Sequence, residues 1–327
     1  MAQEHSDQAA PTALITGVLG QDGSLLATEL SAVGHRVVGV ARPGSVRRPG
    51  SIPPGVEVVE ADLCDDAAVE TLLDQWHPQQ IYHLAAFHHS SQEPAVSAVE
   101  AKQAMLRHNF LSTQTLALAL LRRENEARLV FASSSQIFSG DTGVRRVDED
   151  SHRNPQTLYG HCKSWSMDLL AFLQRESGLH FSSAILFNHE SPRRPQVFVT
   201  RKISTAAARA ARGLPVDLQL LNIGARVDWS SAHDVVRALR LMADADAPAD
   251  YVVASGVLHS VRAVLDVAFG HVGLEWQRYT QYEEDRDAPA LVGDTQRLCQ
   301  TLGWQPEVSF QEMIVAMVEH DLALAKA

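Results

Sequence analysis

Long hydrophobic runs are absent from this chain. No stretch approaches the roughly 18 apolar residues that a membrane helix needs, so no membrane partner is expected. Cysteine is scarce. Cys64, Cys162 and Cys299 lie far apart and share no metal-ligand spacing, so neither a disulfide framework nor a bound metal is expected. A reduced, cytoplasmic compartment is the simplest reading. Positive charge is in short supply, with 28 Lys and Arg against 39 Asp and Glu and a net charge of −11. That balance argues against nucleic acid as a partner. It leaves room for a small anion in a local basic pocket. The opening "MAQEHSDQAAPT" lacks both an apolar core and an arginine-rich amphipathic pattern, so residues 1–11 are expected to form a disordered tail rather than a targeting segment. There is no internal repeat and no low-complexity linker. A second lobe would therefore be interleaved with the first rather than appended to it.

What is present is an ordinary globular composition, 45% hydrophobic and 20% charged over 327 residues. That length allows two lobes around a large core. Apolar runs over 12–17, 35–42, 55–63, 80–86, 127–135 and 180–188 read as strands. Helical periodicity over 24–34, 66–76, about 95–123 and 157–178 separates them. Strands alternating with helices, without hairpin signals, predict an α/β fold with a parallel, doubly wound Rossmann-type sheet. After Asn188 the rhythm breaks. Residues 203–213 and 230–245 read as helices and 251–256 as a strand, and the remainder as helices and loops.

"TGVLGQDGS" places Gly17, Gly20 and Gly23 between the first strand and the first helix. Glycines there permit a tight turn and let a pyrophosphate approach the helix N-terminus. A strand–turn–helix can also use glycines merely to turn. The alternating context favours dinucleotide binding. Gln21 and Asp22 in the loop, and Leu84, Ala85 and Ala86 after the fourth strand, are further candidate cofactor contacts. An acid at the end of the second strand would select NAD. Here stand Ala41 and Arg42, with Arg47 and Arg48 close behind. A guanidinium suits a 2′-phosphate, which favours NADP over NAD. A solvated arginine loop is the plainer explanation. Asp62 and Leu63 are placed to flank the adenine, although Asp62 would serve equally as a helix cap.

"YGHCK" sets Tyr159 and Lys163 four apart on one helical face. A nearby ammonium favours the phenolate and lowers the tyrosine pKa. Such a tyrosine can take the proton from an alcohol as hydride leaves its carbon. Tyr-x-x-x-Lys also arises by chance. It gains meaning by following a strand that ends in serines, where Ser134 can orient the reacting hydroxyl. The pair is expected to contact the cofactor as well.

With these elements assembled, the chain resembles an extended short-chain dehydrogenase/reductase, and more narrowly the GDP-mannose 4,6-dehydratase family. The resemblance rests on "ALITGVLGQDGSLLA", "IYHLAA", "SSSQIFSG", "YGHCK" and above all "ILFNHESPRRPQVFVTRKI" at 185–203. It continues through "DWSSAHDVV", "GVLHSVR" and "LGWQPEVSFQEM". It implies NADP, a nucleotide-diphospho sugar, oxidation at sugar C4, loss of water across C5–C6 and return of hydride to C6. It gives Ser134, Tyr159 and Lys163 the catalytic positions, and Asn188 and Arg201 contacts to the sugar nucleotide. As residues alone, Asn188 reads as a turn-former and Arg201 as a surface cation. The implied division is 12–187 plus about 227–256 for the cofactor, and about 188–226 plus 257–327 for the sugar nucleotide. The resemblance also implies a homodimer or homotetramer through the long helices near 95–123 and 157–178.

The chain departs from the family's pattern in places. Gln136 stands where the dehydratases carry the glutamate that removes the C5 proton. Losing a general base costs about 10²- to 10⁴-fold in rate, whereas C4 redox chemistry does not need that acid. Val227 replaces a basic residue before "DW", with Arg226 one position earlier. Arg286, in "YEEDRDAPALVGD", is the candidate phosphate arginine. His88 and His89 follow the fourth strand as candidate acid–base groups or sugar ligands. The expected function is C4 hydride transfer, as dehydrogenase, reductase or epimerase. The alternatives are a true 4,6-dehydratase in which His88, His89 or Glu190 replaces the acid, and a non-catalytic cofactor-binding partner.

Overall fold

The computed structural model describes residues 10–45, 52–87, 98–123, 127–138 and 143–325. The chain starts with β1 (Thr12–Thr16), α1 (Gln21–Ala32), β2 (Arg36–Ala41), β3 (Glu57–Glu60), α2 (Asp66–Trp76) and β4 (Gln80–His83). Next come α3 (Ala98–Leu106), a π-helical turn (Arg107–Leu111) and α4 (Ser112–Arg122), where the expected long helix has its break. There follow β5 (Arg128–Ala132), β6 (Val144–Val147), α5 (Leu158–Ser177), β7 (Phe181–Leu186), β8 (Asn188–Glu190), α6 (Val199–Ala211), β9 (Leu218–Asn222) and β10 (Arg226–Ser231). The chain closes with α7 (Ala232–Asp244), β11 (Tyr251–Val253), β12 (Leu258–Ser260), α8 (Val261–His271), β13 (Thr280–Glu284), β14 (Ala290–Gly293), α9 (Gln296–Leu302) and α10 (Phe310–Leu324).

Seven strands form one parallel sheet in the order β11-β7-β5-β4-β1-β2-β3. Its inner strands are buried on both faces, which is why "TALIT" and "FSSAIL" read as continuous rather than alternating runs. One apolar core, with Leu73, Leu120, Phe131 and Leu170, lies under α2, α4 and α5. A second, with Leu26, Val130, Leu239 and Trp304, lies under α1 and α7. A third, with Ile203, Trp229, Phe269 and Met317, is built by α6, α8 and α10. Local chemistry sets the ends of key helices. Thr157 caps α5 by accepting from the Gly160 N–H at 3.0 Å, and Gly178 closes it with φ 74°.

The strand order reverses between β1 and β4. A ligand crevice is expected at the carboxyl ends of strands at such a switch point. The residues after Asn188 hold more strand than periodicity predicts. β8, β10 and β12 form a three-stranded sheet, and β13 pairs with β9 and β14 with β6. These strands are three to six residues long, and β6, β9 and β13 are partly exposed. Their partners are distant in sequence, so no local period announces them. Within 227–256, Val227–Ser231 pairs outside the large sheet, while α7 packs on α1 and β11 forms the sheet edge. No helix among the described residues is long and apolar enough to cross a membrane.

Candidate active site

A cavity of ≈ 450 Å³ opens at the switch point. Gly17, Gly20, Arg42, Asp62, Leu63, Leu84, Ala85 and Ala86 line it, together with Ser45, Phe87, His108 and Ser112. Gly17 takes φ 73°, and a Cβ there would stand 2.9 Å from the Ala85 backbone. Gly23 lies within α1, where a Cβ would meet Val18 Cα at 2.7 Å, so its role is close packing of helix on turn. The side chains of Gln21 and Asp22 turn away from this cavity toward residues 189–191. Asp62 does not cap α2, a task that Asp65 performs. It pairs with Arg107 at 2.6 Å, and the Cys64 N–H, with that arginine, holds its carboxyl below the usual range. Arg47, Arg48, His88 and His89 lie outside the described residues.

The cavity floor is a polar network that the sequence did not announce. The Ala85 N–H donates to Thr16 Oγ1 at 3.1 Å, and the same hydroxyl is hydrogen-bonded to His83 Nδ1 at 2.8 Å. His83 Nε2 is hydrogen-bonded to Thr113 Oγ1 at 3.1 Å. Burial, aided by the Lys163 charge, pushes the His83 pKa down to about 3, so this ring stays neutral. Asn109, in the π-helical turn, accepts from the Phe87 N–H at 2.9 Å and donates to the Phe87 carbonyl at 2.8 Å. π-Turns recur at functional sites because they redirect one helical side chain.

Ser134 follows β5, which lies beside β4. The Tyr159 phenol hydrogen-bonds Ser134. Lys163, on the next turn of α5, is 1% exposed. Its Nζ donates to the Ala132 carbonyl at 2.7 Å and sits 4.6 Å from the Phe131 ring centre and 5.6 Å from that of Tyr159. The expectation of a depressed tyrosine pKa needs correction. Burial pushes Tyr159 up to about 12, against the opposing pull of Ser134 and the Arg194 charge. Lys163, whose Nζ donates to the Ala132 carbonyl and whose own pKa burial lowers to about 7, does not offset that burial. Gln136 Oε1 accepts from the Thr157 hydroxyl at 2.9 Å, beside the start of α5. A Cβ on Gly160 would stand 2.6 Å from the Gln136 carbonyl, so glycine lets the two segments meet.

A second cavity, of ≈ 260 Å³, is lined by Ser135, Phe138, Arg145, Asn188, Arg226, Val227 and Asp228 with Pro289, Ala290 and Leu291. Asn188 and Arg226 are therefore brought together, and Arg226 Nε stands 3.3 Å from Asp287. Arg145, carried by β6, was not singled out in the sequence. Only the pairing of β6 with β14 brings it here. Asp228 accepts from the N–H groups of Ser255, Gly256 and Gly293 at 2.8, 3.0 and 3.1 Å, so it ties the wall together. Arg286 does not line this cavity; its side chain is 69% exposed and pairs with Glu284 at 2.7 Å. Arg201 is not a surface cation. It is 4% exposed, with its guanidinium on Asp321 and, at 3.0 Å, on Ser204. No group of three metal-ligating side chains occurs among the described residues.

Comparison with known proteins places this geometry. The family model described as GDP-mannose 4,6 dehydratase matches residues 14–317. GDP-mannose 4,6 dehydratase 2 of Arabidopsis thaliana is 34% identical, over 96% of this chain and 87% of its own. The UDP-glucose 4-epimerase of Thermus thermophilus in complex with NAD superposes with TM-score 0.80 at 26% identity, over 95% of this chain and 98% of its own. RMD of Pseudomonas aeruginosa, complexed with NADPH, shares the fold with TM-score 0.80 at 20% identity, over 97% and 100% of the two chains.

Proposed function

Because this chain belongs to the GDP-mannose 4,6-dehydratase family, we propose that it is a nicotinamide-dependent enzyme that acts at C4 of a nucleotide-diphospho sugar. One observation carries the reading. Ser134, Tyr159 and Lys163 converge at the end of β5, while Gln136 beside them presents an amide instead of an acid.

The first cavity fits a dinucleotide. Gly17 and Gly20 line it at the turn into α1, and the N-terminus of α1 offers backbone N–H groups to a pyrophosphate. When bound, a nicotinamide supplies the hydride acceptor and donor. Arg42 at the cavity rim supports NADP over NAD. Ser134 holds the C4 hydroxyl, and Tyr159 takes its proton on oxidation or returns it on reduction. For that transfer the phenol must come down from about 12. Ser134 and Arg194 already pull in that direction, and Lys163 adds to it when protonated. Asn188, Arg145 and Arg226 in the second cavity serve the sugar nucleotide, with the charged pair facing its phosphates.

Elimination is the step this site is least equipped to perform. An amide cannot take the C5 proton, and the Gln136 oxygen already receives the Thr157 hydroxyl. Among the substitutes considered, Glu190 is 2% exposed and bound to Thr200 at 2.6 Å and Arg194 at 3.4 Å. We assign 12–187 with about 227–256 to the cofactor and about 188–226 with 257–327 to the sugar nucleotide, with 135–138, 143–145 and 227–228 crossing that boundary to line the second cavity. Exposed Val99, Leu106, Leu111, Trp165 and Phe172, on α3 to α5, support a homodimer or homotetramer through that face.

The test is incubation of purified protein with NADP or NAD and GDP-mannose or related GDP-sugars, followed by product mass and cofactor absorbance. Loss of two hydrogens with stoichiometric cofactor reduction, or C4 inversion, is expected. Loss of the mass of water without net reduction overturns the C4-only reading.

A further inference from the structure

Gln21 and Asp22 follow Gly20, at the wall of the first cavity, yet both side chains reach across to residues 189–191. Gln21 Nε2 donates to the His189 carbonyl at 3.1 Å, and the Ser191 hydroxyl donates to Gln21 Oε1 at 2.8 Å. Asp22 Oδ2 meets His189 Nε2 at 3.0 Å. His189 Nδ1 meets the Phe187 carbonyl at 2.7 Å. Asn188, between those two residues, lines the second cavity. These bonds therefore run from the glycine loop of one cavity to the wall of the other.

The chemistry of the ring narrows its state. Both partners of His189, a carbonyl oxygen and a carboxylate oxygen, are acceptors. A neutral imidazole has one N–H and can satisfy only one of them. The imidazolium satisfies both.

We propose that Asp22 and the His189 imidazolium form a positioning clasp that fixes Asn188 at the second cavity relative to the glycine loop, and so couples the two ligands' binding. The coupling rests on the two-ligand reading above; the charged clasp does not. The charged groups facing His189 are Asp22 from α1, Glu190 on its own strand and Arg194 in the loop that follows. Burial and Arg194 oppose the imidazolium. The Asp22 charge and hydrogen bond outweigh them, so the His189 pKa is raised and that of Asp22 lowered. As pH rises through the His189 midpoint, one of the two ring hydrogen bonds is lost and the clasp slackens.

Two measurements on the full chain test this. In the ligand-free protein, the His189 ring nitrogens are followed by NMR, assigned by their loss in His189→Gln. A deprotonation midpoint above 6.5 that falls in Asp22→Asn is expected. A midpoint at or below 6.5, or one indifferent to Asp22→Asn, overturns the proposal. Next, GDP affinity is measured with and without saturating NADP. In the wild type the cofactor should tighten GDP binding by about tenfold, a gain that fades at alkaline pH and is absent in Asp22→Asn. Ser191→Ala, a gentler change, should retain part of it. Equal gains in wild type and Asp22→Asn overturn the coupling. If neither ligand binds the wild type, the functional reading fails while the NMR result still decides the clasp.

Discussion

The two cavities are made by different means. The first is assembled from the turns that follow β1 to β4, neighbouring strands of one sheet. Apart from His108 and Ser112, which come from the π-helical turn and α4, each wall residue sits at or just after a strand end. The second draws on five separated segments, 135–138, 143–145, 187–188, 226–228 and 289–291, held by pairings such as β6 with β14 and β8 with β10. A wall built from one repeating unit can change little without losing the turn. A wall built from five segments can change one at a time, and this chain departs from its family's pattern mainly there and at Gln136.

The largest expected effect comes from removing the hydroxyl of Tyr159, the proposed proton carrier. Tyr159→Phe should lower turnover by about 10²- to 10⁴-fold, with cofactor and GDP affinity unchanged within twofold, read by steady-state kinetics and equilibrium titration. A loss confined to binding would instead make Tyr159 a wall residue.

The floor of the first cavity has its own pH signature. His83 titrates at 6.5 when unfolded and at about 3 when folded. Between those values the unfolded chain binds the extra proton, so stability falls as pH drops from 6.5 toward 3. The slope from this residue is about 1.4 kcal/mol per pH unit. His83→Gln should flatten that part of the profile in denaturant titrations. An unchanged slope would show that His83 is not held neutral.

The second cavity should respond differently. Arg226→Met and Arg145→Met should each weaken GDP binding by about tenfold, as expected for a lost charge-assisted contact worth about 1.4 kcal/mol, with little change in NADP affinity. The loss should shrink at high salt. Equal losses for both ligands would erase the distinction between the cavities. The smallest signal in absolute turnover is Gln136→Glu. It should add a trace of dehydrated product, detected by mass, and its complete absence would show that residue 136 is not what blocks elimination.

How much was legible follows the same division. Alternation of apolar runs and helical periods marked the strands of the large sheet, because their registers are set by burial on both faces. The glycine turn, Arg42, Asp62 and Ala85 were placed by counting from those strands. Arg145 was not, because nothing local distinguishes it from the Arg146 beside it. Taken alone Arg201 reads as a surface cation and the resemblance makes it a sugar-nucleotide contact; the structure buries it against Asp321 of α10. Lys163 was expected to act on Tyr159, and burial beside Phe131 and the Ala132 carbonyl redirected it.

The sequence by itself determined the parallel α/β sheet, the glycine turn and the candidate Ser134, Tyr159 and Lys163 set, since each follows from a period or an offset along the chain, whereas the strand order that makes the switch-point crevice came from the structure. Only the tertiary structure decided which arginines face the second cavity, why the tyrosine pKa rises, and that Asp22 meets His189. Those are consequences of which distant segments share a buried, low-dielectric space. The energies of charges and hydrogen bonds there depend on the neighbours that the fold supplies.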